Sequence, residues 1–134
     1  MVNVYAACSL RDKILLWGEL TTIKTTSVDL VWCFCGDFNA IRKHSERKGV
    51  STRDNQSSEM RGFNNFIDSI LLLELPLVGK IFTWFNLNGK AMSRLDRVLV
   101  TEEWLHKWPM CKQYVQRREG SVHYAIVVKS LDKN

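Results

Sequence analysis

Five polar residues stand where strand-like runs pass into turns. They are Tyr5 after "VNV", Asp37 and Asn39 in "CFCGDFNAI", Asp96 in "SRLDRVLV", and His123 in "SVHYAIV". Together their types suggest one chemistry. Hydrolysis of a phosphodiester needs an activated water, a carboxylate to position or deprotonate it, and neutralisation of phosphoryl charge. An Asp–Asn pair supplies base and positioner, here Asp37 and Asn39. A His held by an Asp through one ring nitrogen favours the imidazolium and can donate to phosphate, which suits His123 and Asp96. Each residue also has a plainer role open to it. Asp37 and Asn39 suit an ordinary turn, Asp96 a surface ion pair with Arg94 and Arg97, His123 a structural position, and Tyr5 the core.

The elements that must position these residues follow from periodicity. Residues 2–7 alternate and are rich in strand formers. Ser9 followed by Asp12 fits a capping box for a helix over about 10–24, with Leu16, Leu20 and Ile23 on one face and Trp17 beside it. "DLVWCFC" is a near-continuous apolar run, the pattern of a strand covered on both faces. Strand, helix and buried strand make a crossover unit. Residues 42–58 are polar and charge-dense and read as a surface loop. A second helix over about 58–74 sets Met60, Phe63, Ile67 and Ile70 on one stripe and is stopped by Pro76. "KIFTWFN" and "SRLDRVLVT" read as strands joined across Asn88-Gly89, a strong turn signal. Thr101 caps a short helix whose first turn holds Glu102 and Glu103, and "CKQYVQR" and "YAIVVKSL" read as closing strands. In layered α/β proteins, strand-end loops are where ligands bind.

The totals set the limits. At 134 residues and 46% hydrophobic content, the chain makes one domain with a real core. No apolar stretch approaches the roughly 20 residues of a membrane span, and "MVNVYAACSL" lacks the form of a secretory signal. An intracellular protein of nucleus or cytoplasm is expected. The formal net charge of +5 and a pI near 9.2 favour anionic partners, nucleic acid first, although the surplus is dispersed over Arg42, Lys43, Arg47, Lys48, Lys112, Arg117 and Arg118. A solvated mixed-charge surface is the competing account. Cys33 and Cys35 lie two apart in a predicted strand and face one side, while Cys8 and Cys111 are isolated. No zinc-ligand spacing occurs, so four buried, reduced thiols are expected.

In order along the chain, "NVYAAC", "GDFNAI", "EMRGFNNFID", "FTWFN", "SRLDRVLVTEEW" and "SVHYAIVV" resemble the C-terminal part of the endonuclease domain of plant LINE-type (non-LTR) retrotransposons. Those domains belong to the endonuclease/exonuclease/phosphatase (DNase I-like) family. The resemblance covers nearly the whole chain. It implies an α/β fold, a partial four-layered α/β/β/α sandwich lacking its N-terminal half, with Mg²⁺ dependence and nicking of DNA. It assigns Tyr5 to the phosphate and Asp37 to the attacking water. Asn39 would hold water and phosphate, and Asp96 would orient His123, which stabilises the developing charge. Thr83, Trp84 and Arg94 fall in segments that meet the DNA backbone.

Departures from the family pattern limit what is expected of it. An upstream Asn and a metal-binding Glu precede the matched region, and the family's Ser-Asp-His reads Ser121-Val122-His123 here. Both expected metal ligands are therefore absent, and Ala7 replaces the usual Pro. Mg²⁺ takes near-octahedral oxygen ligands, commonly one or two carboxylates. The expectation is an endonuclease-like fragment with no adequate metal site, strongly impaired in hydrolysis, that binds DNA weakly and without sequence preference. The other readings are a non-catalytic nucleic-acid-binding remnant and a relic without function.

Overall fold

Strand β1 (Val2–Tyr5) and strand β2 (Cys33–Asp37) pair in parallel through the crossover helix α1 (Leu10–Thr26), as the sequence pattern predicts. This computed structural model describes residues 1–50, 56–116 and 122–130. Helix α1 begins where expected. The Ser9 hydroxyl accepts the Asp12 amide at 3.2 Å, satisfying one of the orphan donors of the first turn. A short 3₁₀ turn (His44–Glu46) and strand β3 (Arg47–Lys48) follow, then helix α2 (Gln56–Ser69). After it come β4 (Leu73–Glu74), β5 (Leu77–Val78), β6 (Trp84–Phe85), β7 (Met92–Ser93) and β8 (Asp96–Val100). Helix α3 (Glu102–Lys107), β9 (Lys112–Gln116) and β10 (Ala125–Lys129) complete the described elements.

The central sheet has the order β1-β2-β8-β4, with β2 and β8 antiparallel. Alternation along these strands separates two cores. Phe34 and Leu99 face α1 and α2, where Trp17, Leu20, Phe63, Phe66 and Ile67 are buried with them. Trp17 stacks on Phe63 and Phe66 at centroid separations of 5.6 and 6.2 Å, each pair worth about 0.5–1.5 kcal/mol beyond area burial. Cys33, Val98 and Val100 face the other way, toward Leu75, Trp104, Leu105, Cys111 and Ile126. There the second sheet, β10-β9-β5, lies behind the first. A third small sheet, β3-β7-β6, carries the Trp84 segment.

Several local expectations shift. Helix α2 ends at Ser69, well before Pro76, because Leu71 adopts φ +56° and the Leu72 amide returns to the Ile67 carbonyl at 3.0 Å. Leu71 thus occupies the left-handed C-terminal position that glycine usually takes. Ile23 is exposed, and the buried face of α1 instead includes Lys13, which pairs with Glu59 at 2.9 Å. The predicted 42–58 loop holds a buried Glu46 and the start of α2. "SRLDRVLVT" is broken into β7 and β8, which belong to different sheets, and β6 pairs with β7 rather than β8. Thr101 stands at the cap of α3, but its hydroxyl serves Leu30 and Trp32 instead of the helix amides. All four cysteines are free, yet Cys8 is exposed. Ser121, Arg117 and Arg118 lie outside the described residues. No described helix is long and apolar enough to cross a membrane.

Candidate active site

Register brings the candidate residues together. Tyr5 at the end of β1 is level with Asp37 at the end of β2, and Asp37 is paired with Asp96 at the start of β8. Three strand ends thus share one rim. Gly36 permits this closeness: it has φ +136°, and a Cβ there would collide with the carbonyl oxygen of Val4. Beyond it the chain turns sharply. Asn39 sits at φ +49°, a conformation asparagine tolerates, while its amide donates to Asp37 Oδ1 at 2.8 Å. The Asn39 side chain in turn donates to the Ala7 carbonyl at 3.2 Å and contacts Cys8 Sγ at 3.4 Å. The "GDFN" stretch is therefore a turn, and that turn delivers Asp37 to the rim.

His123 is held in place by the Trp84 strand. Trp84 and His123 form an antiparallel bridge, flanked by Phe85 N–H donating to the Val122 carbonyl at 2.9 Å and Tyr124 N–H to the Thr83 carbonyl at 2.8 Å. The imidazole lies between two carboxylates, with Nδ1 3.0 Å from Asp96 Oδ2 and Nε2 3.8 Å from Asp37 Oδ2. Both carboxylates are largely shielded and the imidazole is about one-third exposed. Burial, then the neighbouring charge of Asp96, raises the Asp37 pKa. The Asn39 amide and His123 oppose the rise without cancelling it. The result is a carboxylate that takes up a proton more readily than usual. A cavity of about 470 Å³ opens in front of it, lined by Tyr5, Lys13, Asp37, Asn39, Trp84 and His123. Tyr5 is 86% exposed at its mouth and is no part of the core.

Two candidates are not brought to this rim. Thr83 is fully buried, and its hydroxyl accepts the amides of Leu95 and Asp96, each at 3.0 Å. It positions Asp96 from behind. Arg94 turns into the interior to pair with Glu74 and Glu46.

That interior pairing belongs to a network absent from the sequence reading. Arg97 is 0% exposed and donates to Glu46 at 2.5 and 3.1 Å, to Glu74 at 3.0 Å, and to the carbonyls of Ala40 and Arg94. Its guanidinium also lies over the Phe63 ring. A signal existed, since strand alternation puts Arg97 on the same face as Leu99. A charge on a core-facing position demands partners.

The described residues do not fit Mg²⁺. Asp37, Asp96 and His123 offer ligand atoms within 4.8 Å of one another. One of those is a nitrogen, and the carboxylate oxygens facing inward are already within ion-pair distance of the imidazole. Glu59, which also lines the cavity, is tied to Lys13. Val122 contributes no oxygen from its side chain. An octahedral oxygen cage is not present among the described residues.

No family model matches the sequence, and no curated protein matches it. Solved structures do match the fold. The 3′ phosphatase NExo from Neisseria, bound to product DNA hairpin, superposes with a TM-score of 0.71 at 18% identity, covering 96% of this chain and 59% of that one. The fold is DNase I-like. Beta toxin from Staphylococcus aureus gives 0.60 at 16% identity, over 96% and 50% of the two chains. The endonuclease domain of TRAS1, a telomere-specific non-LTR retrotransposon, gives 0.56 at 20%, over 98% and 56%. The chain spans between half and three-fifths of the length of these proteins.

Proposed function

We propose that this chain is a DNA-phosphate-recognising domain with a strongly impaired phosphodiester-hydrolysing site. It is of the plant LINE-type retrotransposon endonuclease kind and corresponds to the C-terminal part of that domain. The observation that carries the reading is His123 set between Asp96 and Asp37 on the rim of a cavity that Tyr5 overhangs. The net charge of +5 supports an anionic partner. In this reading the Tyr5 hydroxyl and the His123 imidazole donate to a phosphoryl oxygen, with Asp96 fixing the ring. Asn39 orients the water. Asp37, its proton affinity raised by burial, takes the water proton as oxygen attacks phosphorus. The P–O bond breaks and the leaving oxygen is protonated from solvent.

What limits the site is charge. Asp37 faces the place a phosphate would enter, and the one imidazole beside it is shared with Asp96. A metal ordinarily contributes several kcal/mol of transition-state stabilisation here, and losing about 4 kcal/mol costs roughly a thousandfold in rate. Recognition outlasts catalysis.

The test pairs two assays on the full chain. Retention of double-stranded DNA at low salt should fall by more than tenfold between about 50 and 200 mM salt, while nicking of supercoiled plasmid with Mg²⁺ stays at background. Salt-independent retention would overturn phosphate recognition. Efficient nicking that disappears in Asp37→Ala would overturn the impairment and leave the site assignment standing.

A further inference from the structure

Across the β7–β8 connection from the rim cavity lies a separate cleft of about 380 Å³. Ser93 and Leu95 line the rim cavity, while Arg94 between them lines this one. Asn64 of α2, Pro76 and Leu77 of the β4–β5 segment, Arg42 and Lys43 complete its walls. Arg42 is fixed from several directions. Its amide donates to Glu46 Oε1 at 2.6 Å, its Nε to Asn64 Oδ1 at 2.8 Å and its Nη1 to Glu74 Oε1 at 3.3 Å, while its carbonyl accepts Asn64 Nδ2 at 2.9 Å. Its Nη2 has no partner among the described residues, and neither has the exposed Lys43 ammonium. The carboxylates have nothing to spare for them. From the buried side, Arg97 donates to both oxygens of Glu46 and both of Glu74. Donors still exceed acceptors, since Nε of Arg94 and Nε of Arg97 are buried without a partner among the described residues. Four cations (Arg42, Lys43, Arg94 and Arg97) thus meet two carboxylates, a surplus of two positive charges.

We propose that this cleft binds a dianionic phosphate group, either a phosphomonoester or free phosphate, at a site separate from the rim. A guanidinium held in one orientation presents its donors to phosphate oxygens without further ordering, and a lysine beside it adds a mobile point charge. Arg42 and Lys43 are the groups that reach the ligand. Arg94 and Arg97 contribute charge from behind. The surplus selects the ligand's charge state. A phosphomonoester carries about −1.5 to −2 at neutral pH, which matches two uncompensated cations, whereas a backbone diester carries a single charge and leaves one cation unanswered. The apolar wall of Pro76 and Leu77 shields the contact from water and strengthens it. The same group occurs at the phosphorylated end of a nucleic-acid strand and on a small phosphorylated molecule. No rim residue takes part, so this site and phosphate recognition at the rim stand or fall separately.

The experiment follows amide resonances of the full chain during titration with inorganic phosphate at about pH 7.5, where phosphate is mostly dianionic, with sodium chloride at matched ionic strength as the control. The Asn64 side-chain amide and the backbone amides of Arg42 and Lys43 should shift saturably with phosphate and not with chloride. Lys43→Glu reverses a charge at an exposed position and spares the fold; it should weaken the response about tenfold or more. Arg42→Lys keeps the charge but loses the fork, and should weaken it similarly. The cleft response should persist in His123→Ala, which disables the rim. A short oligonucleotide with a terminal phosphate then separates the two sources. Tighter binding than inorganic phosphate assigns the site to a nucleic-acid end, and binding no tighter assigns it to a small phosphate. Equal shifts with chloride, full affinity in Lys43→Glu, loss of the response in His123→Ala, or an equal response to the oligonucleotide without its terminal phosphate would each overturn the proposal.

Discussion

Asp96 and Arg97 are consecutive residues of one strand, and strand alternation sends them into opposite electrostatic worlds. Arg97 points inward to a cluster where three arginines, Arg42, Arg94 and Arg97, meet Glu46 and Glu74. Asp96 points to the rim, where two carboxylates share one imidazole. The consequences are opposite in sign. At Glu46 burial pushes the pKa up, but the hydrogen bond and charge of Arg97, with the Arg42 amide and Arg94, outweigh it and leave the carboxyl below its usual range. At Asp37 burial and Asp96 win, and the pKa rises. One cluster sets each carboxylate among arginines and fixes the backbone. The other retains unsatisfied charge facing a cavity, the condition expected of a site that acts on something else.

The largest test of this contrast is Arg97→Met. Removing one partner from a buried ion network leaves charges without compensation and costs about 3–5 kcal/mol. Because Arg97 also holds the carbonyls of Ala40 and Arg94, the loop after Asn39 should loosen with it. Urea denaturation measures the first effect and amide exchange at residues 38–41 the second. A cost below about 1 kcal/mol would show that this cluster does not pin the fold.

Glu46→Gln should cost less, about 2 kcal/mol, since one acceptor oxygen remains for Arg97 or the Arg42 amide. The pH dependence sharpens it. A carboxyl whose folded pKa is depressed stabilises the fold above its unfolded value, and that contribution is lost as pH falls through the folded pKa. The stability difference between the native chain and Glu46→Gln should therefore be full at neutral pH and shrink below about pH 4. A difference that is constant across that range would remove charge from the explanation.

Much of this was legible in the sequence, and the failures have a common cause. The crossover unit, the Ser9 cap, the Asn88-Gly89 turn and the rim grouping of Asp37, Asn39, Asp96 and His123 all depend on local pattern or on strand ends, and these are seen in the structure. What was missed depends on pairing at a distance. Arg94 shares the local look of a surface arginine, and its carboxylate partners Glu46 and Glu74 lie 48 and 20 residues earlier in the chain. The break between Ser93 and Asp96 is invisible in an unbroken strand-like run, because the sheet each half joins is set by β3 and β6 for one and by β2 for the other. Leu71 ends α2 in a conformation its type disfavours, so no residue signal marks the stop.

Thr83 joins the two regions, since its single hydroxyl accepts the consecutive amides of Leu95 and Asp96. Thr83→Val keeps the shape and deletes the acceptor, leaving two shielded N–H groups without it. The cost should be about 1–3 kcal/mol. The Asp96–His123 contact should also weaken, visible as a shift in the His123 ring resonances. Stability loss without any change at His123 would make Thr83 purely structural.

The smallest effect is expected at Asp37, and its sign matters more than its size. A carboxyl whose folded pKa is raised binds its proton more readily in the native state, so its ionised form opposes folding. That opposition is present above the folded pKa and disappears as pH falls through it. Asp37→Asn removes the charge and keeps an oxygen to accept the Asn39 amide, so the turn is preserved. At pH 7 the variant should be as stable as the native chain or more so, by less than about 1 kcal/mol, and the gain should vanish under acid conditions. DNA retention at low salt should rise slightly at the same time, because one negative charge has left the rim. A clear loss of stability at neutral pH would mean that His123 compensates Asp37 fully. The rim would then be a settled ion cluster of the same kind as the one around Arg97, and the contrast between the two faces of β8 would not hold.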